Sequence, residues 1–133
     1  MANSQSYKDL VAWQKAMALV IAVYRLTSSF PKDELYGLTS QMRRASVSIP
    51  SNIAEGQGRL SNLEFRKFLG IAKGSLCELE TQLLVSQSLG ISSQDETLQV
   101  SDQIVEVGKI LSGLIGSINR LEVAKSKQKT VGG

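Results

Sequence analysis

Six basic side chains in the body of this 133-residue chain have a spacing that suits phosphate. Arg43 and Arg44 are adjacent, Arg59, Arg66 and Lys73 recur seven residues apart, and Lys67 follows Arg66. A guanidinium fork offers two parallel donors to phosphate oxygens, and each phosphate neutralised releases condensed counterions. A competing reading treats the same residues as a solvated face. In that reading Arg59 pairs with Glu55 one turn away, and Glu78 or Glu80 holds Arg43 and Arg44.

Other chemistry lacks its residues. The chain has no histidine, which removes the commonest general base and the Glu-x-x-His ligand pair of di-iron bundles. Glu55, Glu78, Glu80 and Glu106 make a poor metal site without histidine or a second thiol. No catalytic residue, metal or cofactor is expected. The lone Cys77 has no partner for a disulfide within the chain, and its apolar neighbourhood suggests a buried thiol in a reducing, cytoplasmic setting.

The net charge of +3 is misleading as a guide to partners. Three of the 15 Lys/Arg, namely Lys125, Lys127 and Lys129, lie beyond residue 124, and the remainder balance 12 Asp/Glu. A single domain over 1–124 with a basic, disordered tail over 125–133 is expected. The longest apolar run, Ala16 to Tyr24, is nine residues, whereas a membrane span needs about 20, so no membrane association is expected.

The elements that would position these groups are helical. Leu10, Trp13, Met17, Val20 and Tyr24 recur at alternating spacings of three and four, and Leu35, Leu38, Met42, Ala45, Ile49 and Asn52 repeat the pattern. Phe65, Leu69, Ala72, Leu76, Leu79 and Leu83 form a third seam, and Val100, Ile104, Val107, Leu111, Leu114, Ile118 and Leu121 a fourth. Ser61 with Glu64 and Ser93 with Glu96 are capping-box patterns, and Gly90 is a C-terminal stop. The fold expected is all-α: an antiparallel up-down-up-down four-helix bundle with a Pro-kinked second helix.

Pro50 falls inside the second seam. Proline removes one amide donor and strands the carbonyl of Ser46, at about 3 kcal/mol. The serines around it can satisfy freed groups, so the helix should bend and continue. Asn52 then becomes a buried, register-setting polar group with partners expected near Glu78 and Gln82, and Glu55 lies one turn further on.

Two features point to another subunit. The first segment is apolar on both sides, with Leu19, Ala22 and Leu26 on a second line, and a helix apolar all round should be buried all round. Gly70 and Gly74 lie off the third seam, and Gly108, Ser112 and Gly116 form a line of small residues on the fourth. Interior glycine costs about 1 kcal/mol relative to alanine, which the close approach of a helix would explain.

The stretch F-P-K-D-E-L-Y-G-L-T-S-Q-M-R-R-A-S-V-S-I-P-S-N-I-A-E-G, Phe30 to Gly56, resembles the signature of the proteins encoded in intervening sequences of bacterial 23S ribosomal RNA genes. G-S-L-C-E-L-E-T-Q-L, Gly74 to Leu83, and E-V-G-K-I-L-S-G-L-I, Glu106 to Ile115, continue the likeness. Gln41, Arg43, Arg44, Pro50, Asn52, Glu55 and Gly56 match that signature, and no catalytic role comes with any of them. Where members often have an aromatic residue after the third turn's L-G, this chain has Ile91.

The resemblance implies a four-helix bundle that assembles as a homopentamer. It also implies a likeness in fold to the accessory variability determinant of diversity-generating retroelements, a basic pentamer that binds a reverse transcriptase and nucleic acid. Two functions are expected in turn: a homo-oligomeric protein binding RNA or other nucleic acid through its basic stripes, or a protein-interaction scaffold without direct nucleic-acid binding.

Overall fold

The computed structural model describes residues 6–132, with side chains as far as Gln128. Residues 1–5 and 133, at the two ends of the expected domain and tail, and the side chain of Lys129 lie outside the described residues. Four helices carry the chain: α1 Val11–Thr27, α2 Ser40–Gln57, α3 Asn62–Ser88 and α4 Gln94–Gly132. A 3-10 turn at Tyr7–Asp9 precedes α1, and a second at Lys32–Glu34 leads into a π-helical turn, Leu35–Thr39, that opens into α2. Among the described residues there is no strand.

Local chemistry sets the helix ends. The Ser61 hydroxyl accepts from the Glu64 amide at 3.1 Å and starts α3, and Ser93 accepts from the Glu96 amide at 3.4 Å and starts α4. Gly90 adopts φ +71°, a left-handed value that costs other residues energy, and the Ile91 amide then reaches back to the Ser86 carbonyl at 3.1 Å. Ile91, in place of the aromatic residue, packs against the core. At the end of α1 the hydroxyls of Ser28 and Ser29 donate to the carbonyls of Arg25 and Leu26, just before Pro31.

Cross-helix contacts set the directions. Asn62 and Arg66, early in α3, meet Glu122 and Asn119, late in α4, while Leu76 meets Gly108 midway, so these helices run antiparallel. Gly56 against Phe65 and Phe68, with Ser48 against Ser75, gives the same sense to α2 and α3. Lys15 of α1 pairs with Glu106 of α4 at 3.6 Å, while Arg25 and Glu96 wall one groove.

The core lies along the bundle axis. It takes Met42, Ala45, Ile49 and Ile53 from α2, five residues of the third seam, Leu69 to Leu83, and Val100, Ile104, Val107, Leu111 and Ile118 from α4. Each fully buried Leu, Ile or Val contributes about 1.5–3 kcal/mol by leaving water. Phe65 and Leu114 are partly buried, and Leu121 is exposed.

The first helix is turned from its expected position. Its inward line is Ala12, Ala16, Leu19, Val23 and Leu26, whereas Met17 and Tyr24 of the expected seam are exposed. Of its two apolar lines, the one that faces the core puts two alanines, Ala12 and Ala16, inward and leaves Tyr24 exposed. Leu19 and Leu26, expected at a subunit interface, are fully buried in the chain's own core, and Ala22 is half-buried beside it.

Two more expectations are corrected. Cys77 is exposed, because it follows the buried Leu76 and precedes Leu79 by two positions, off the inward line of α3. The segment expected to be a disordered tail continues α4 as helix to Gly132. Glu122 pairs with Lys125 at 3.4 Å, and cations suit the end of a helix, where unsatisfied carbonyls leave negative charge.

Helix α2 is continuous through the buried Pro50. Two of its carbonyls take side-chain bonds nearby: Ser46 donates to Arg43 O at 2.8 Å and Asn52 to Ser48 O at 2.8 Å. Asn52 also donates to the Ser48 hydroxyl at 3.0 Å, which in turn is 2.8 Å from the Ser75 hydroxyl of α3. Asn52 therefore reaches α3 through Ser48 and not through the expected partners. Glu78 points to solvent, and the carboxamide oxygen of Gln82 is buried without a hydrogen bond.

Candidate nucleic-acid interface

An open groove of about 640 Å³ lies between the end of α1 and the start of α2. Arg43 and Arg44 stand in it, with Tyr24 from α1, Leu35 and Tyr36 from the π-helical turn, and Ser40, Val47 and Ser48 from α2. No carboxylate lines it.

The two arginines are held differently. Arg43 donates from Nε to Thr27 Oγ1 at 2.9 Å and from Nη2 to the Tyr24 carbonyl at 3.4 Å, and its guanidinium lies 4.5 Å from the centre of the Tyr24 ring. Thr27 is itself fixed, because its hydroxyl donates to Val23 O at 2.8 Å. A guanidinium stacked on a ring and tied at one edge is pre-oriented, with little rotamer freedom left to lose on binding. Arg44 is exposed and has no hydrogen-bond or ion-pair partner among the described residues. Neither arginine is held by Glu78 or Glu80.

The seven-residue stripe is divided by its neighbours. Arg59 lies on the connection between α2 and α3, paired with Glu55 at 2.8 Å and set over the Phe68 ring at 4.9 Å. Arg66 donates to Asn119 of α4 at 2.7 Å. Lys73 lines a second groove between α3 and α4 together with Lys109 and Glu80, and Lys67 is exposed without a partner among the described residues. Arg59 follows the paired reading, and the remaining basic residues fall on two separate faces.

The small residues also separate. An added Cβ on Gly70 or Gly74 would meet nothing within 4 Å, so that strip of α3 is open surface. Gly108 faces Leu76 of α3, whose Cδ2 would lie 3.4 Å from such a Cβ, so the close helix belongs to the same chain. Ser112 is exposed and Gly116 half-buried beside Arg120 of its own helix. The apolar line that α1 leaves in water is Met17, Ile21 and Tyr24.

Tyr36 is the groove residue that periodicity passed over. It lies off the seam between Leu35 and Leu38, and an aromatic residue at an off-seam position is the one sequence signal that marks it. Among the described residues no group of three or more His, Cys, Asp or Glu gathers to hold a metal, and no helix is long and apolar enough to cross a membrane.

These elements define an all-α, four-helix-bundle protein with a cationic groove on one face. The chain belongs to the 23S rRNA-intervening sequence protein family, whose model matches residues 8–113, a span that contains the whole groove. The same fold is found in the crystal structure of a protein of unknown function from the S23 ribosomal protein family of Bacteroides thetaiotaomicron. The TM-score is 0.71 at 20% identity, over 79% of this chain and 98% of that one. At that identity the likeness is one of fold. No curated protein matches the chain.

Proposed function

We propose that the chain is a non-enzymatic, homo-oligomeric RNA-binding protein whose contact surface is the groove between α1 and α2. The observation that carries this reading is the pair of arginines in a groove without a carboxylate, one pre-oriented on Tyr24 and one unpaired. Phosphate oxygens satisfy both guanidinium groups, and hydroxyls along the same wall accept or donate to sugar and phosphate. Lys67 and Lys73, on another part of the surface, add to the field without forming the groove.

Self-association multiplies that field, because a ring repeats the groove once per subunit. The surfaces open for it are the exposed Met17 and Ile21 of α1 and the strip at Gly70 and Gly74. Five subunits is the number that the family resemblance suggests. The setting is the reducing cytoplasm, where an exposed lone thiol such as Cys77 stays free.

Titrating labelled RNA with nuclease-treated protein at several salt concentrations tests the reading. Affinity should fall steeply with salt, and Arg44→Glu should flatten the slope by about one for each phosphate no longer neutralised. Absence of binding even at low salt ends it. Light scattering gives the second half: a mass near five times 14.4 kDa supports the ring, and a mass of one chain removes it.

A protein-interaction scaffold is the second reading, favoured by the exposed Leu35 and Val47 in the same groove. A protein partner retained after nuclease treatment, and released on Val47→Asp, supports it.

A further inference from the structure

Tyr36 is 92% exposed, a degree unusual for a ring that size in a folded chain. The irregular turn that carries it is anchored. The Leu38 amide donates to Glu34 Oε1 at 3.2 Å, the Glu34 amide donates to Pro31 O at 2.9 Å, and Gly37 takes φ −108° and ψ −112°, outside helical values. Tyr36 has no ring or hydrogen-bond contact among the described residues, in contrast to Tyr24, which carries the Arg43 guanidinium on its face. The groove therefore has one aromatic face in use and one free, with the unpaired Arg44 in the same wall.

We infer that the groove takes single-stranded RNA, with a base stacked on Tyr36 and the adjoining phosphate on Arg44. The inference rests on the RNA-binding reading and narrows its substrate. A duplex keeps its base faces covered and offers an aromatic platform nothing, whereas an unpaired strand offers a base face and a backbone charge together. The charge of the groove selects an anionic partner over an apolar peptide. Its volume of about 640 Å³ suits one or two nucleotides within the range of small-ligand sites. The Ser40 hydroxyl, without a hydrogen-bond partner among the described residues, is placed to bond a 2′-hydroxyl, which DNA lacks.

Fluorescence anisotropy of the nuclease-treated full chain tests this with three labelled probes of one length: oligouridine, an RNA duplex and oligothymidine. Oligouridine should bind at least about tenfold more tightly than the duplex. Tyr36→Ala should weaken oligouridine by about tenfold while leaving the salt slope and the duplex affinity unchanged. Tyr36→Phe should keep the affinity, since stacking needs the ring and not the hydroxyl. Equal binding of strand and duplex, or no effect of Tyr36→Ala, overturns the inference and leaves the broader RNA reading standing. Equal binding of oligothymidine overturns the assignment to RNA. Failure of all three probes at low salt removes both. A fall in mass by light scattering for Tyr36→Ala also overturns the inference, because the ring then covers a neighbouring subunit.

Discussion

Gly56 and Phe68 approach so closely that a Cβ on Gly56 would lie 2.6 Å from the Cβ of Phe68. The ring and carbonyl of Phe65 would stand at 3.1 and 3.3 Å from the same point. Glycine at this position lets the end of α2 rest on the start of α3, and the family signature ends on that residue.

Gly56→Ala is therefore expected to destabilise the chain. The atoms in the way are a backbone-attached Cβ and a backbone carbonyl, which cannot turn aside, so the two helices must separate. The cost should be about 1–3 kcal/mol, read as a lower denaturation midpoint with an unchanged m-value.

Gly70→Ala should act in the opposite direction. Its Cβ meets nothing within 4 Å and the residue is helical, so about 0.5–1 kcal/mol of stability is gained from the reduced freedom of the unfolded chain. Thermal denaturation should show a rise of a few degrees. Light scattering of the same variant reports on the open strip of α3: a reduced mass places a neighbouring subunit there, and an unchanged mass leaves it to solvent.

The Ser48 and Ser75 hydroxyls, 2.8 Å apart, form the polar link between α2 and α3 and pass it on to Asn52. Alanine at both positions, combined in a double-mutant cycle, should give a coupling energy of about 0.5–1.5 kcal/mol. Pairing Ser48→Ala with a substitution at Glu78 should give no coupling, since Glu78 lies outside this chain of bonds.

Cys77 should react with a thiol reagent in the native protein, without denaturant, because its side chain is exposed on α3. One equivalent should be modified per chain at the rate of an accessible thiol. Protection that disappears on dilution or on disrupting assembly would show that a subunit covers this part of α3.

Features that depend on neighbours within a turn or two could be read along the chain. Most of the inward lines of α2, α3 and α4, though not Leu35, Asn52 and Leu121 of the expected seams, were legible, as were the serine caps at Ser61 and Ser93, the stop at Gly90 and the Glu55 to Arg59 pair, because each depends on residue type or on neighbours three or four positions away. The signature around Arg43 and Arg44 was legible as a family likeness in the same way.

Which of two apolar lines on α1 faces inward was settled by packing across the bundle, and with it the burial of Leu19 and Leu26 and the exposure of Met17 and Tyr24. That packing also brought Thr27 to Arg43 across 16 positions, left Arg44 without a partner among the described residues, and set Tyr36 on the wall of the groove. The reason is physical. A helix apolar on both sides has two rotations that bury similar area, and the choice between them rests on how closely the other three helices can pack, a property of the whole bundle and not of any one segment.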